Sequence, residues 1–153
     1  MNYIINFVNN DIIRQHSINE VLKYNDLTRR YGLILSHQQA IELVDTRDFT
    51  LSEQGRLELG EGIIGKIIYA LMDSPYINQD NYTKTLHSFI ELFYYYKNET
   101  IDLLSDEDLI NYMVEKFNST CCGSIELLTY RDLEQFARDI RYKYFGIEEE
   151  HYE

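Results

Sequence analysis

With 153 residues the chain is long enough to bury roughly 70% of its unfolded surface around one core. It carries 14 basic against 26 acidic side chains, a net charge of −12, which argues against general nucleic-acid or anionic-membrane binding because both partners would repel it. Hydrophobic content of 44%, a single Pro and seven Gly predict a folded globule of long helices rather than many short strands.

The charge is uneven. Residues 1–75 hold 7 basic and 10 acidic side chains, whereas residues 76–153 hold 7 and 16. A basic protein is therefore the electrostatically sensible partner. The start, MNYIINFVNNDIIRQ, has no basic leader, and no unbroken apolar run approaches the ~18 residues of a membrane span. Together with only two cysteines, Cys121 and Cys122, this predicts a soluble, cytoplasmic protein.

Taken in chain order, residues 1–16 are ambiguous and potentially irregular: Ile4, Val8 and Ile12 have helical spacing, but Asn-rich surroundings weaken it. Ser17 with Glu20 reads as a capping box opening a helix that stops at Gly32. Ser36 with Gln39 opens a second helix to about Asp48, with Ala40, Ile41 and Val44 inward. A connector follows over 49–60, with a short extended piece at Arg56–Leu59. A third helix runs from about Glu61 to Asp73 and ends before Ser74-Pro75.

The spacing next predicts a helix over about 80–98, with Tyr82, Leu86, Phe89, Phe93 and Tyr96 in one stripe and Ile90 at its edge. On the same wheel Tyr94 stands about 100° and Tyr95 about 160° from the stripe, so a second layer or solvent must cover Tyr95. Ser105 caps a helix whose first turn is Asp106-Glu107-Asp108 and whose inner side is Leu109, Ile110, Met113, Phe117 and Cys121, with Gly123 as terminator. After a turn at 125–128, Thr129 and Asp132 can cap a last helix over about 130–145, striped by Leu133, Phe136, Ala137, Ile140 and Tyr144 and ended by Gly146. The acidic tail 147–153 should be mobile. The expected architecture is an all-α, single-domain, compact bundle of about six amphipathic helices.

GEGIIGKI (60–67) imitates a phosphate loop and a dinucleotide fingerprint. The Ser or Thr that would follow Lys66 is Ile67, the acid-ended apolar run IYALMD (68–73) belongs to the same helix rather than to a neighbouring strand, and nothing downstream resembles a second strand with a ribose-binding acid, so the sequence argues against a nucleotide site. Cys121-Cys122 lacks the spaced partners of a zinc site, and Cys121 continues an apolar stripe, which favours a buried thiol. His87 and Glu91 sit one turn apart, yet a solvated face explains them better than a metal does. No catalytic residue, cofactor or metal is expected.

Several segments occur together: LTRRYGLILS (27–36), GRLELGEGII (55–64), DSPYI (73–77), FYYYKNET (93–100), CCGS (121–124) and RDLEQFAR (131–138). Over about residues 27–142 the chain resembles a family of short bacterial proteins, mainly from anaerobic Gram-positive bacteria, known only as a domain of unknown function. The resemblance implies a cytoplasmic bacterial protein and brings no activity or catalytic residue with it.

Fourteen tyrosines are the compositional anomaly. Residues 98–115 contain six acids and no base, the wrong charge for stacking nucleic-acid bases. The favoured reading is a non-catalytic helical interaction or regulatory protein, able to form a homodimer or bind a basic partner, with Tyr94, Tyr95, Glu91, Asp102, Asp106 and Asp108 as contact residues. One alternative is a small-ligand sensor or enzyme with a pocket between helices. Another is an acidic mimic of nucleic acid that inhibits a basic protein.

Overall fold

The computed structural model of the protein describes residues 2–57 and 62–150, with side chains over 11–57 and 62–146. Every regular element among these residues is helical: α1 Asn2–Lys23, α2 Asn25–Thr28, α3 His37–Glu53, α4 Ile63–Leu71, α5 Tyr82–Glu99, α6 Asp106–Asn118, α7 Ile125–Leu127 and α8 Glu134–Glu150. A 3-10 turn at Arg29–Tyr31 follows α2, and a π-helical stretch at Leu128–Leu133 leads into α8. The protein is an all-α bundle, with α1, α3, α4, α5, α6 and α8 as its longer helices.

The packing centres on α5, which touches α3, α4, α6 and α8, while α1 lies against α3 and α4. The predicted stripe Tyr82, Leu86, Phe89, Phe93 and Tyr96 is fully buried, with Ile90 beside it. α4 is short and rich in β-branched residues, which are mediocre helix formers. Burial of Ile63, Ile64, Ile67, Ile68 and Leu71 therefore holds it, rather than propensity. Gly65 on α4 admits the ring of Tyr24: a Cβ there would lie 2.5 Å from Tyr24 Cε2. Both helix starts read from Ser36 and Ser105 are present, the first as a full capping box with Gln39 and the second accepting from the Asp108 N–H at 3.1 Å.

Several boundaries differ from the sequence reading. The first 16 residues are not irregular from Asn2 onward, and Ser17 is not a cap: α1 runs through both to Lys23. The Ser17 hydroxyl instead accepts from Arg47 of α3 at 3.4 Å, while Arg14 holds Asp45 at 2.7 Å. Gly32 does end the following 3-10 turn in the left-handed conformation, with φ of 75°. α3 continues to Glu53, keeping Thr50 and Leu51 buried. The extended piece expected over 56–59 falls partly outside the described residues.

At the other end, Thr129 and Asp132 do not cap a new helix. Helical structure already begins behind Ser124, whose hydroxyl accepts from the Leu127 N–H at 3.2 Å, and Thr129 donates back to the Ile125 carbonyl at 2.7 Å. Gly146 does not stop α8, which continues to Glu150; residues 151–153 of the tail lie outside the described residues.

Leu33-Ile34-Leu35 is non-helical chain with Leu33 and Leu35 buried, and among the described residues no strand lies beside it to pair its backbone. Side-chain amides take that role. Asn25 donates to the Leu35 carbonyl and accepts from its N–H, both at 2.9 Å, and Gln79 does the same for Ile34 at 2.8 Å. Thr28 Oγ1 donates to the Leu33 carbonyl at 2.7 Å. Asn25→Ala should therefore cost about 1–3 kcal/mol in urea unfolding, because it strands a donor and an acceptor. Gln79→Ala, at an exposed position, should cost distinctly less.

Candidate interaction surface

α5 is covered on nearly its whole circumference. Its only exposed positions are Lys84, Glu91 and Tyr95, which at about 100° per residue fall on one line opposite the buried stripe. Tyr95 is 43% exposed and Tyr94 only 3%. Tyr94 is thus a core residue, packed edge-on against Phe93 at 5.1 Å, and is corrected as a contact candidate. It is buried because α5 has neighbours on several sides, so a position 100° from the main stripe still meets another helix.

Tyr95 packs edge-on against Tyr96 with ring centroids 4.9 Å apart. Tyr96 is fixed in turn, its hydroxyl 3.0 Å from the Thr129 carbonyl of the π-helical stretch and 2.8 Å from Glu134. Glu99 chiefly raises the Tyr95 pKa, with burial and Glu134 adding and Arg141 opposing. Arg141 of α8 is paired with Glu99, so Tyr95 stands at the α5–α8 seam.

From there α8 outruns the bundle. Leu133 and Ala137 are buried and Ile140 is half-buried, but Tyr144, next on the same stripe, is 58% exposed. Tyr142 and Phe145 are 60% and 44% exposed. Arg138 and Lys143 are exposed as well, so from residue 138 through 145 no side chain is buried. The aromatic end of α8 is the feature that sequence reasoning missed: Tyr144 sits on the expected line, but nothing in the line says where the neighbouring helices stop.

The acidic candidates are largely engaged within the molecule. Arg56 holds Asp102, Lys97 holds Asp106 at 2.9 Å, and Lys66 holds Glu107 at 2.7 Å. The bond from Arg56 is the main reason that the Asp102 carboxyl is depressed below its usual value, and Lys66 does the same for Glu107. Asp108 is exposed on α6, and Glu91 shares the exposed line with Tyr95. The run of acids over 98–115 is therefore laced to cations from other segments rather than presented as one bare anionic face.

The remaining candidates resolve in the same way. Lys66 of GEGIIGKI faces Glu107, Ile67 is in the core, and residues 60–61 lie outside the described residues. His87 Nδ1 is 2.7 Å from Thr46 Oγ1, and among the described residues no group of three or more His, Cys, Asp or Glu side chains is placed to hold a metal. A cleft of about 960 Å³ lies between α1, α3 and α4, lined by His16, Glu20, Tyr24, Arg47 and Asp48 among others. Its polar groups are engaged in part, with Arg47 on Asp48 at 2.9 Å and His16 Nε2 3.1 Å from Glu20.

Cys121 is buried and donates its thiol to Asp132 at 3.1 Å; Asp132 also accepts from Thr120 Oγ1 at 2.6 Å and Arg131 Nε at 2.7 Å. These bonds, that from Arg131 foremost, hold the Asp132 carboxyl well below the usual range. Burial, and then Asp132, push the Cys121 thiol up, opposite to what a nucleophile needs. The cluster ties the 119–124 turn to the start of the last helical segment.

No helix among the described residues is long and apolar enough to cross a membrane. A family model described as a family of unknown function (DUF6323) matches residues 20–146. No curated protein and no solved structure matches the chain.

The two thiols should separate in reactivity: iodoacetamide at neutral pH should label Cys122 rapidly in the native protein, and Cys121 only after unfolding, as read by peptide mass spectrometry. Asp132, with a folded pKa below its unfolded value of about 3.9, contributes stability that is complete above that value and is lost as pH falls toward the folded pKa. Asp132→Asn should remove about 1–3 kcal/mol at pH 7 and flatten the acid limb of a stability–pH profile below about pH 4.

Proposed function

Since the chain belongs to this family of unknown function, whose description carries no activity, we propose from its own surface that it is a non-catalytic helical interaction protein. It binds another protein through Tyr95, Glu91 and the end of α8. The observation that carries this reading is the exposure of Tyr142, Tyr144 and Phe145 on a stretch of α8 where no side chain is buried. Aromatic residues and Arg are enriched at interface centres, and large clustered apolar exposure marks contact sites. Arg138 and Arg141 flank the aromatics. Asp102, Asp106 and Asp108 lie outside this surface's aromatic centre and serve at most as rim charges. A reducing compartment, the cytoplasm, suits the two free cysteines.

The cleft of about 960 Å³ supports the small-ligand alternative, which a thermal-shift screen against metals, nucleotides and metabolites addresses. The internal pairing of Asp102, Asp106 and Glu107 weighs against the nucleic-acid mimic, which needs a continuous acidic face.

Tagged protein in cell lysate, analysed by mass spectrometry at low and moderate salt, tests the reading. Tyr95→Ala and Tyr144→Ala should each weaken partner recovery about tenfold, the equivalent of ~1.4 kcal/mol, while shifting the melting temperature by no more than about 2 °C. Unchanged recovery with both variants would remove this surface from the function.

A further inference from the structure

A second exposed patch stands on the turn behind α2, which packs on α1, whereas α8 packs on α5 and on the π-helical stretch. Arg29, Arg30 and Tyr31 make up the 3-10 turn, and all three are exposed. Leu27, Arg30 and Tyr31 are three and four residues apart and so share one side of the helical chain, with Ile34 just beyond. Leu27, Tyr31 and Ile34 are large apolar side chains left open to solvent. The Arg30 guanidinium lies 5.5 Å from the centre of the Tyr31 ring, and its Nε donates to the Leu27 carbonyl at 3.3 Å. The turn is held from behind. Gly32 closes it in the left-handed conformation, and Thr28, Gln79 and Asn25 bond the backbone of Leu33, Ile34 and Leu35 in succession. A surface fastened in this way needs little ordering when a partner arrives.

Charge selects the occupant. Arg14, Arg56, Lys66, Lys97, Arg131 and Arg141 each hold a carboxylate within the chain. Among the described residues Arg29 and Arg30 hold none, although Asp26 stands three and four positions before them, the spacing at which helical ion pairs form. A helix end favours a cation beside its last carbonyls, which accounts for the bond from Arg30 to Leu27. It accounts neither for Arg29 nor for the apolar side chains around the pair. We propose that this turn is a docking site for an acidic segment of another protein. The forks of Arg29 and Arg30 take two carboxylates, and a large apolar side chain of the partner rests on Leu27, Tyr31 and Ile34. Two guanidiniums are too few for a nucleic-acid backbone, whose binders neutralise about 6–10 phosphates, or for an anionic membrane, which takes clusters of about 4–8 cations.

The net charge of −12 repels an acidic partner at long range, but salt screens that repulsion beyond about 8 Å at physiological ionic strength, so the local cations decide the contact. The patch is small against the ~1,200 Å² at the low end of stable interfaces, so a dissociation constant of roughly 10–500 µM follows. The site stands apart from the α8 surface, and neither reading needs the other.

A phage-displayed library of short random peptides, selected on the full chain, supplies the probe. Selection should enrich sequences in which two acidic residues flank a large apolar one. In fluorescence polarisation with the strongest such peptide, Arg29→Ala and Arg30→Ala should each weaken binding about threefold and Tyr31→Ala about fivefold. Arg29→Glu/Arg30→Glu should weaken it ~thirtyfold or more, because it sets like charges against the peptide's acids. All these positions are exposed, and a melting temperature within about 2 °C of wild type checks that each variant folds. The proposal is overturned if no peptide is enriched, if the enriched peptides lack acids, or if Arg29→Glu/Arg30→Glu binds them as well as wild type does. Sedimentation equilibrium covers the remaining occupant: a wild-type dimer that this double variant abolishes would assign the turn to a second copy and overturn the separate partner. The two surfaces fail separately, since Tyr144→Ala should leave peptide binding unchanged.

Discussion

Tyr82, Leu86, Phe89, Phe93 and Tyr96 run along one line of α5, and α3, α4, α6 and α8 each take part of that helix's circumference. Each large ring buried this way contributes on the order of a few kcal/mol, and the loss of any one would open a cavity that the surrounding helices can only partly close. Because α5 is enclosed on so many sides, residues away from its main stripe are also withdrawn from solvent. Tyr94 and the stem of Lys97 are the clearest cases, the latter with its ammonium turned to Asp106 and to the Leu104 carbonyl. What remains for the outside is a single line of three residues, and Tyr95 lies on it.

Enclosing a helix so fully requires the chain around it to be packed closely even where it is not helical, and the polar groups there need partners. Asn25 and Gln79 give Ile34 and Leu35 the bonds that a neighbouring strand would supply. Around the π-helical stretch, the Thr129 carbonyl meets the Tyr96 hydroxyl, and Asp132 gathers Arg131, Thr120 and Cys121. No buried side-chain nitrogen or oxygen among the described residues lacks a partner. Polar side chains in this protein thus serve mainly to let irregular backbone approach an apolar core. The same use explains why residues that look like chemistry in the sequence, Lys66 and Cys121 among them, are already committed to structural bonds.

Electrostatics follow a similar division. Arg56, Lys97, Lys66 and Arg141 reach from separate segments to Asp102, Asp106, Glu107 and Glu99, so the densest acidic run is cross-linked to the rest of the bundle. Surface pairs of this kind add little stability individually, but they remove local repulsion from a strongly acidic chain. The end of α8 is different: beyond Ala137 the rings of Tyr142 and Tyr144 and the cations Arg138 and Lys143 are mostly exposed, while Arg141 still holds Glu99. The proposed interaction surface is placed on that helix end because clustered aromatic exposure is a mark of contact sites.

The sequence by itself determined the helical class, the stripe of α5 and the caps at Ser36 and Ser105. Each depends on residues within a few positions of one another, where periodicity and capping chemistry act. By angle alone it also placed Tyr95 off the buried stripe, where its side chain is 43% exposed. Tertiary structure decided the rest. Ser17 has the residues of a cap, but Arg47 from another helix takes its hydroxyl; Thr129 and Asp132 look like a helix start, but their side chains are spent on Ile125 and on the Cys121 cluster. Tyr94 and Tyr144 were assigned to opposite environments from those they occupy. Burial depends on how many helices surround a position and on where those helices end, and neither is written in the local spacing of a single element.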